Sequence, residues 1–205
     1  MEVTRSVGDM ATQIRATDAV ELRRFSAAEY HRLGEIGVLG DRERVELLDG
    51  FLIDMPPIGY RHEYVLSTLA RLIVRVLGRS DVIRTNSPIS LSVDSEPQPD
   101  MIVVQGPPTR YRDRLPGPAD VLLLVEVADS SRALDRGPKA QMYANAGIEE
   151  LWIVDVVAAE VLVLREPGPE GYASVAVMRR GDELSPARRP RVAIEVSAFL
   201  DDVPF

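Results

Sequence analysis

The run VLLLVEV at 121–127 constrains the fold of this 205-residue chain more than any other stretch. Side chains that are apolar at successive positions suit a strand covered on both faces. Downstream the pattern switches. RGPKAQMYANAG sets Lys139, Met142, Tyr143 and Ala146 on one helical face. Pro138 suits the first turn of that helix, and Gly147 suits a left-handed cap at its end. ELWIVDV at 150–156 is apolar again. Strand, helix and strand in that order favour a parallel pair with a right-handed crossover. That unit points to the α/β class.

Within the 121–127 run, Glu126 is the exception. A carboxylate in an apolar strand must shift its pKa, pair, or bind a cation. Asp100 opens a second apolar segment, PQPDMIVV, and reaches the same edge of the sheet if the two strands are neighbours. Two hard oxygen ligands on adjacent strands, completed by a backbone carbonyl and water, suit Mg2+ or Mn2+. Such an ion activates water and neutralises charge on a phosphate oxygen. Lys139 completes the set. Of 24 basic residues it is the single lysine, so ordinary surface positions in this chain take arginine. An ammonium is compact and can give up a proton, which a guanidinium does not. The expected role of Lys139 is to polarise the attacking water or to hold the scissile phosphate. The purely structural alternative is a buried Glu126–Lys139 ion pair, with Asp100 capping a turn.

Residues 1–20 read as a loose tail or an added helix, and 21–205 as a single domain. Ser26 and Glu29 form a capping-box pattern before a short helix, AAEYHRLGEIG, which ends near Gly34 and carries His31 as a surface residue. RVELLDGFLIDMPP is a hairpin signal around Asp49-Gly50, a type I′ turn dipeptide. Alternation leaves Glu46 as either an outward charge or a third carboxylate facing the site. RHEYVLSTLARLIVRVLGR reads as an amphipathic helix ending at Gly78. Its buried stripe is His62, Leu66, Leu69, Ile73 and Val76, and Arg71, Arg75 and Arg79 lie on the solvated face. His62 is either a hydrogen-bonded core residue or a functional one. Further strands are expected at DVIRT, ISLSV, DMIVV, AEVLVLRE and YASVAVM, and the tail RVAIEVSAFL ends in a short strand or helix.

Composition narrows the chemistry. Without cysteine there is no disulfide, thiolate nucleophile or cysteine-held zinc, and two histidines do not make a multi-histidine metal site. A net charge of −8 argues against a protein that coats DNA non-specifically. Arg110, Arg112 and Arg114, with Arg132 and Arg136 ahead of the lysine, form either a solvated loop or a local basic surface. No apolar segment is long enough for a bilayer, and no apolar leader opens the chain, so a cytoplasmic protein without a membrane partner is expected.

The acids and lysine resemble the restriction-endonuclease-like superfamily, whose motif is PD-(x)n-(D/E)-x-K. Pro99-Asp100 matches the first element and Glu126 the second acid. Ala128 stands where the lysine would be, but some branches carry the lysine on the following helix, where Lys139 lies. A closer resemblance is to the Uma-two family of restriction-endonuclease-like proteins. It rests on VELLDGFLIDMPP, His62, PQPDMIVV, LLLVEVADSS, KAQMYANAGIEELWIVD and AIEVSAFL, spread over residues 25 to 200. The resemblance implies a mixed α/β (α+β) fold with a restriction-endonuclease-like core, a bent mixed sheet flanked by helices, and a Mg2+ or Mn2+ site of Asp100 and Glu126 beside Lys139. It adds Glu46, as a ligand or holder of ion-bound water, and His62, as a phosphate contact or acid. It also implies a homodimer, with the N-terminal helices or the strands after Tyr143 as candidate interfaces. The function implied is metal-dependent hydrolysis of phosphodiester bonds in DNA. The alternative is an inactive nuclease-like scaffold acting as a dimeric binding or regulatory protein.

Overall fold

The computed structural model describes residues 22–40, 44–77, 81–191 and 193–201. The expectations for residues 1–20, for the packing of Val76, and for Gly78 and Arg79 lie outside the described residues.

Helix α1, Ala27–Glu35, opens with the capping box: Ser26 Oγ accepts the Glu29 amide, and the Glu29 carboxylate accepts the Ser26 amide. Strands β1 (Val45–Leu48) and β2 (Phe51–Asp54) form the hairpin. Asp49 and Gly50 both take positive φ at its turn, 53° and 78°, as a type I′ turn requires. Helix α2 is Tyr60–Val76, with Val65, Leu66, Leu69 and Ile73 buried.

The main sheet has six strands in the order β3-β4-β5-β6-β7-β8. They are Asp81–Thr85, Met101–Gln105, Val121–Ala128, Glu150–Asp155, Glu160–Gly168 and Gly171–Met178. β5 and β6 are parallel and every other pair is antiparallel, which makes the sheet mixed. β5 is buried nearly throughout, as its unbroken apolar run demands. Its alternate residues feed two cores. Leu123, Val125 and Val127 pack with α2, whereas Leu124 and Ala128 pack with Ala140 and Tyr143 of the helix between β5 and β6. That helix, α3, begins as Arg132–Leu134, widens into a π-helical turn at Asp135–Lys139, and continues as Ala140–Asn145. Gly147 follows at φ 78°, the expected left-handed cap. Two short strands, β9 (Glu183–Leu184) and β10 (Ile194–Glu195), pair with each other ahead of α4, Ser197–Leu200.

Two local expectations are corrected. ISLSV forms no strand. Ile89 and Leu91 donate to the carbonyls of Pro97 and Ser95 within one tight loop, closed by a bridge between Ser92 and Ser95. Prolines on both sides of this stretch lack the amides that a ladder needs. Pro138 does not open a helix but lies inside the π-helical turn, where the wider hydrogen-bond spacing accommodates the missing amide.

Candidate functional site

Sheet register brings the two acids together. Met101 faces Val125 across the β4–β5 ladder, so Asp100 comes opposite Glu126 on the same face. The Asp100 amide donates to Glu126 Oε2 at 3.2 Å, and the Val127 amide donates to Asp100 Oδ2 at 2.7 Å. Like charges placed opposite each other on one face repel. Counter-charges arrive from two helices. His62, in the first turn of α2, puts Nε2 3.0 Å from Asp100 Oδ1. From α3, Lys139 puts Nζ 2.9 Å from Glu126 Oε1 and 3.2 Å from Glu46 Oε2.

Glu46 comes from the small hairpin. The Glu96 amide bonds to the Leu47 carbonyl, and the Gly50 amide to the Asp94 carbonyl. These bonds clamp β1 beside the segment that leads into Asp100. Alternation then turns Glu46 inward, at 2% exposure. Apart from the ammonium, Glu46 Oε2 has no hydrogen-bond donor among the described residues, and His62 Nδ1 has no hydrogen-bond partner among them.

All five residues expected from the sequence, Asp100, Glu126, Lys139, Glu46 and His62, line one cavity of about 280 Å³. Lys139 is 1% exposed, an unusual state for an ammonium. Two members of the site escaped the sequence reading in this role. Tyr143 Oη donates to Glu126 Oε1 at 2.7 Å. Asp135, 2% exposed, lies on the same π-helical turn as Lys139 and accepts a hydrogen bond from the Ser131 hydroxyl. The signal was spacing: Asp135, Lys139 and Tyr143 stand four apart and share a helical face.

Electrostatics set the state of the site. Burial raises the pKa of Glu46 despite the pull of Lys139. It pushes Glu126 up to about 8 and Asp135 up to about 6. Burial lowers Lys139, but the carboxylates of Glu126, Glu46 and Asp135 outweigh it and leave the ammonium held in its charged form. In His62 burial again pulls down, and the hydrogen bond and charge of Asp100 reverse the sign. Four buried carboxyl groups and the Asp129 carboxylate thus line a cavity whose cationic groups are the Lys139 ammonium, the His62 imidazole, Arg44, and Arg61, which pairs with Asp129. The cavity has more negative capacity than its own cations can balance.

The residues fit a divalent ion as a two-carboxylate site. Asp100 and Glu126 offer hard oxygens side by side, and each carboxylate has about four lone-pair sites, more than its protein hydrogen bonds occupy. Among the described residues, no three acid or histidine side chains converge as a ready ligand cluster. Glu46 is drawn instead to Lys139. Water would therefore complete the coordination.

Four of the five clustered arginines have structural partners, and Arg112 is exposed. Arg110 and Arg114 close on buried Asp120 at 2.8 and 2.6 Å, and Arg132 and Arg136 close on buried Asp155 at 2.7 and 2.6 Å. The second pair ties α3 to the end of β6 and so helps fix Lys139. His31 is a half-exposed surface residue, with Nε2 2.7 Å from Glu96. No helix among the described residues is long and apolar enough to cross a membrane.

A solved structure, described as a putative nuclease belonging to DUF820 from Anabaena variabilis ATCC 29413, is similar with a TM-score of 0.67. The match covers 88% of this chain and 99% of that one at 15% sequence identity, which shows a shared fold. No curated protein matches the chain significantly. The Uma2 family model, described as "Putative restriction endonuclease", matches residues 27–197. A match of that extent, over a six-stranded mixed sheet with its acids and lysine gathered at one cavity, places the chain in the Uma2 family.

Proposed function

We propose that this protein is a metal-dependent nuclease that hydrolyses phosphodiester bonds in DNA. One observation carries the reading: a cavity of buried carboxylates with too few protein cations, beside a lysine held charged. Asp100 and Glu126 would hold Mg2+ or Mn2+, which supplies Lewis acidity toward a phosphoryl oxygen and toward water. Lys139 stays an ammonium, so its role is to donate hydrogen bonds to water or phosphate oxygen and to stabilise the charge that develops there. His62 has its Nε2 engaged by Asp100, and its unpartnered Nδ1 suits contact with phosphate or proton donation to the leaving oxygen. Glu46 orients Lys139 and can accept a water hydrogen at Oε2. The homodimer belongs to this proposal. β8 is an edge strand without a charged residue, with Val175 and Val177 exposed, a form that readily adds another strand.

Single-stranded DNA, double-stranded DNA and RNA, each with Mg2+, Mn2+ or chelator, form the test. Cleavage of DNA that needs the ion and is lost in Asp100→Ala is expected. Inactivity of both proteins on every substrate would leave the inactive scaffold as the better description.

Ion affinity should also climb with pH. The ion competes with a proton at Glu126, whose carboxyl is pushed up to about 8. Calorimetric titration with Mn2+ is expected to show tighter binding at pH 8.5 than at pH 6.5, with protons released to the buffer. Flat affinity over that range would contradict the assignment of Glu126.

A further inference from the structure

Hydrolysis needs an acceptor for the proton of the attacking water, and the pocket's groups can be sorted by what already holds them. Lys139 is committed to Glu126 and Glu46, which its Nζ meets at 2.9 and 3.2 Å. Asp100 is committed to His62 and the Val127 amide. Glu126 is committed to Lys139, Tyr143 and the Asp100 amide, and Glu46 faces Lys139. Asp129, at the rim, pairs with Arg61 at 3.3 Å. Asp135 alone among these acids forms no ion pair among the described residues, and the neutral Ser131 hydroxyl is its hydrogen-bond partner.

From this we infer that Asp135 is the general base that takes a proton from the attacking water. The inference rests on the nuclease reading above. In the step, the water O–H bond breaks and its proton passes to an Asp135 oxygen. The water oxygen forms a new bond to phosphorus, and the bond from phosphorus to the leaving oxygen breaks with its electron pair. The leaving oxygen then takes a proton from solvent or from His62. The placement favours this. Asp135 and Lys139 project from the same widened turn, so acceptor and ammonium flank the same space. Ser131 fixes one carboxylate oxygen by donating to it. The charged groups around Asp135 are Lys139 on its own helix, Glu46 from β1, Asp100 ahead of β4 and Glu126 from β5, with His62 of α2 behind Asp100; Arg44, Arg61 and Asp129 line the same cavity, and Arg132 and Arg136 on its helix pair with Asp155. Burial places its ionisation at about 6, so it is an available base at neutral pH.

The test compares wild type, Asp135→Asn and Asp135→Glu as ion-loaded protein cleaving DNA over pH 5 to 9. A general base of this kind contributes ~10²- to 10⁴-fold, so Asp135→Asn should lose that much in kcat with little change in KM. The acidic limb of its pH profile should flatten, and Asp135→Glu should restore part of the rate with a displaced limb. A second readout needs no activity. The folded pKa of Asp135 lies above its unfolded value of 3.8, so its contribution to stability is full below about 3.8 and fades as pH rises through about 6. Metal-free Asp135→Asn should therefore gain melting temperature relative to wild type between pH 4 and 8. An active Asp135→Asn with an unchanged acidic limb overturns this inference and leaves the nuclease reading intact. A wild type that cleaves no substrate overturns both.

Discussion

Replacing Lys139 with methionine is expected to cost about 3–5 kcal/mol of folding stability at pH 8 and to abolish DNA cleavage. Methionine keeps most of the side chain's apolar length but removes the ammonium that lies 2.9 Å from Glu126 and 3.2 Å from Glu46. Breaking a buried ion pair by deleting one partner leaves the other charges uncompensated, and losses of about this size follow. The cost should shrink at pH 5. The lysine's own titration lies far above that window, so it is not the cause. The cause is the acids: Glu126, pushed up to about 8, and Asp135, at about 6, take up protons at low pH and no longer need the ammonium. Urea unfolding at both values checks this. A loss below about 1 kcal/mol at pH 8, or one equal at the two pH values, would show that Lys139 does not balance these acids.

Glu126→Gln separates stability from chemistry. The amide keeps an oxygen able to accept from Tyr143 and Lys139 and loses only the acceptor of the Asp100 amide, which costs about 1–3 kcal/mol, so the fold should persist. Activity should not persist. In the proposed role of Glu126 as an ion ligand, its loss weakens ion binding and removes charge complementarity to the transition state, and a fall of at least ~10³-fold in kcat/KM is expected, about 4 kcal/mol of transition-state stabilisation. The stability of the metal-free protein should move the other way with pH. The Glu126 carboxyl has a folded pKa above its unfolded value of 4.5, so its contribution is full below about 4.5 and is lost as pH rises through about 8. Between pH 5 and 9 the melting temperature of the variant should therefore gain on that of wild type. A variant that cleaves within tenfold of wild type would remove Glu126 from the site.

Much of this arrangement was written in local patterns. β5 announced itself by an apolar run that only a doubly covered strand tolerates, and the hairpin by Asp49-Gly50 with both residues at positive φ. Asp100, Glu126 and Lys139 were legible because each broke the pattern around it. Register was not legible: that Asp100 faces Glu126 depends on how two strands align, and nothing within either strand states it. Glu46 was undecided for a related reason. Alternation gives two faces, but only the docking of the hairpin against residues 94–97 decides which one looks into the cavity. ISLSV misled because its composition suits a strand while its flanking prolines withhold the amides a strand would share. Asp135 was missed because Pro138, three residues later, would ordinarily open a helix and leave Asp135 outside it. A π-helical turn instead carries the helix through the proline and puts Asp135 on the face of Lys139.

The β4–β5 ladder has a kinetic corollary. Sliding one strand past the other by a single residue would move Asp100 to the opposite side of the sheet from Glu126, and both would lose the neighbour that defines them. A chain with this ladder open or out of register therefore lacks the paired acids. Under the proposed function, cutting activity would appear during refolding only once the β4–β5 ladder is in register, and its onset would time that closure.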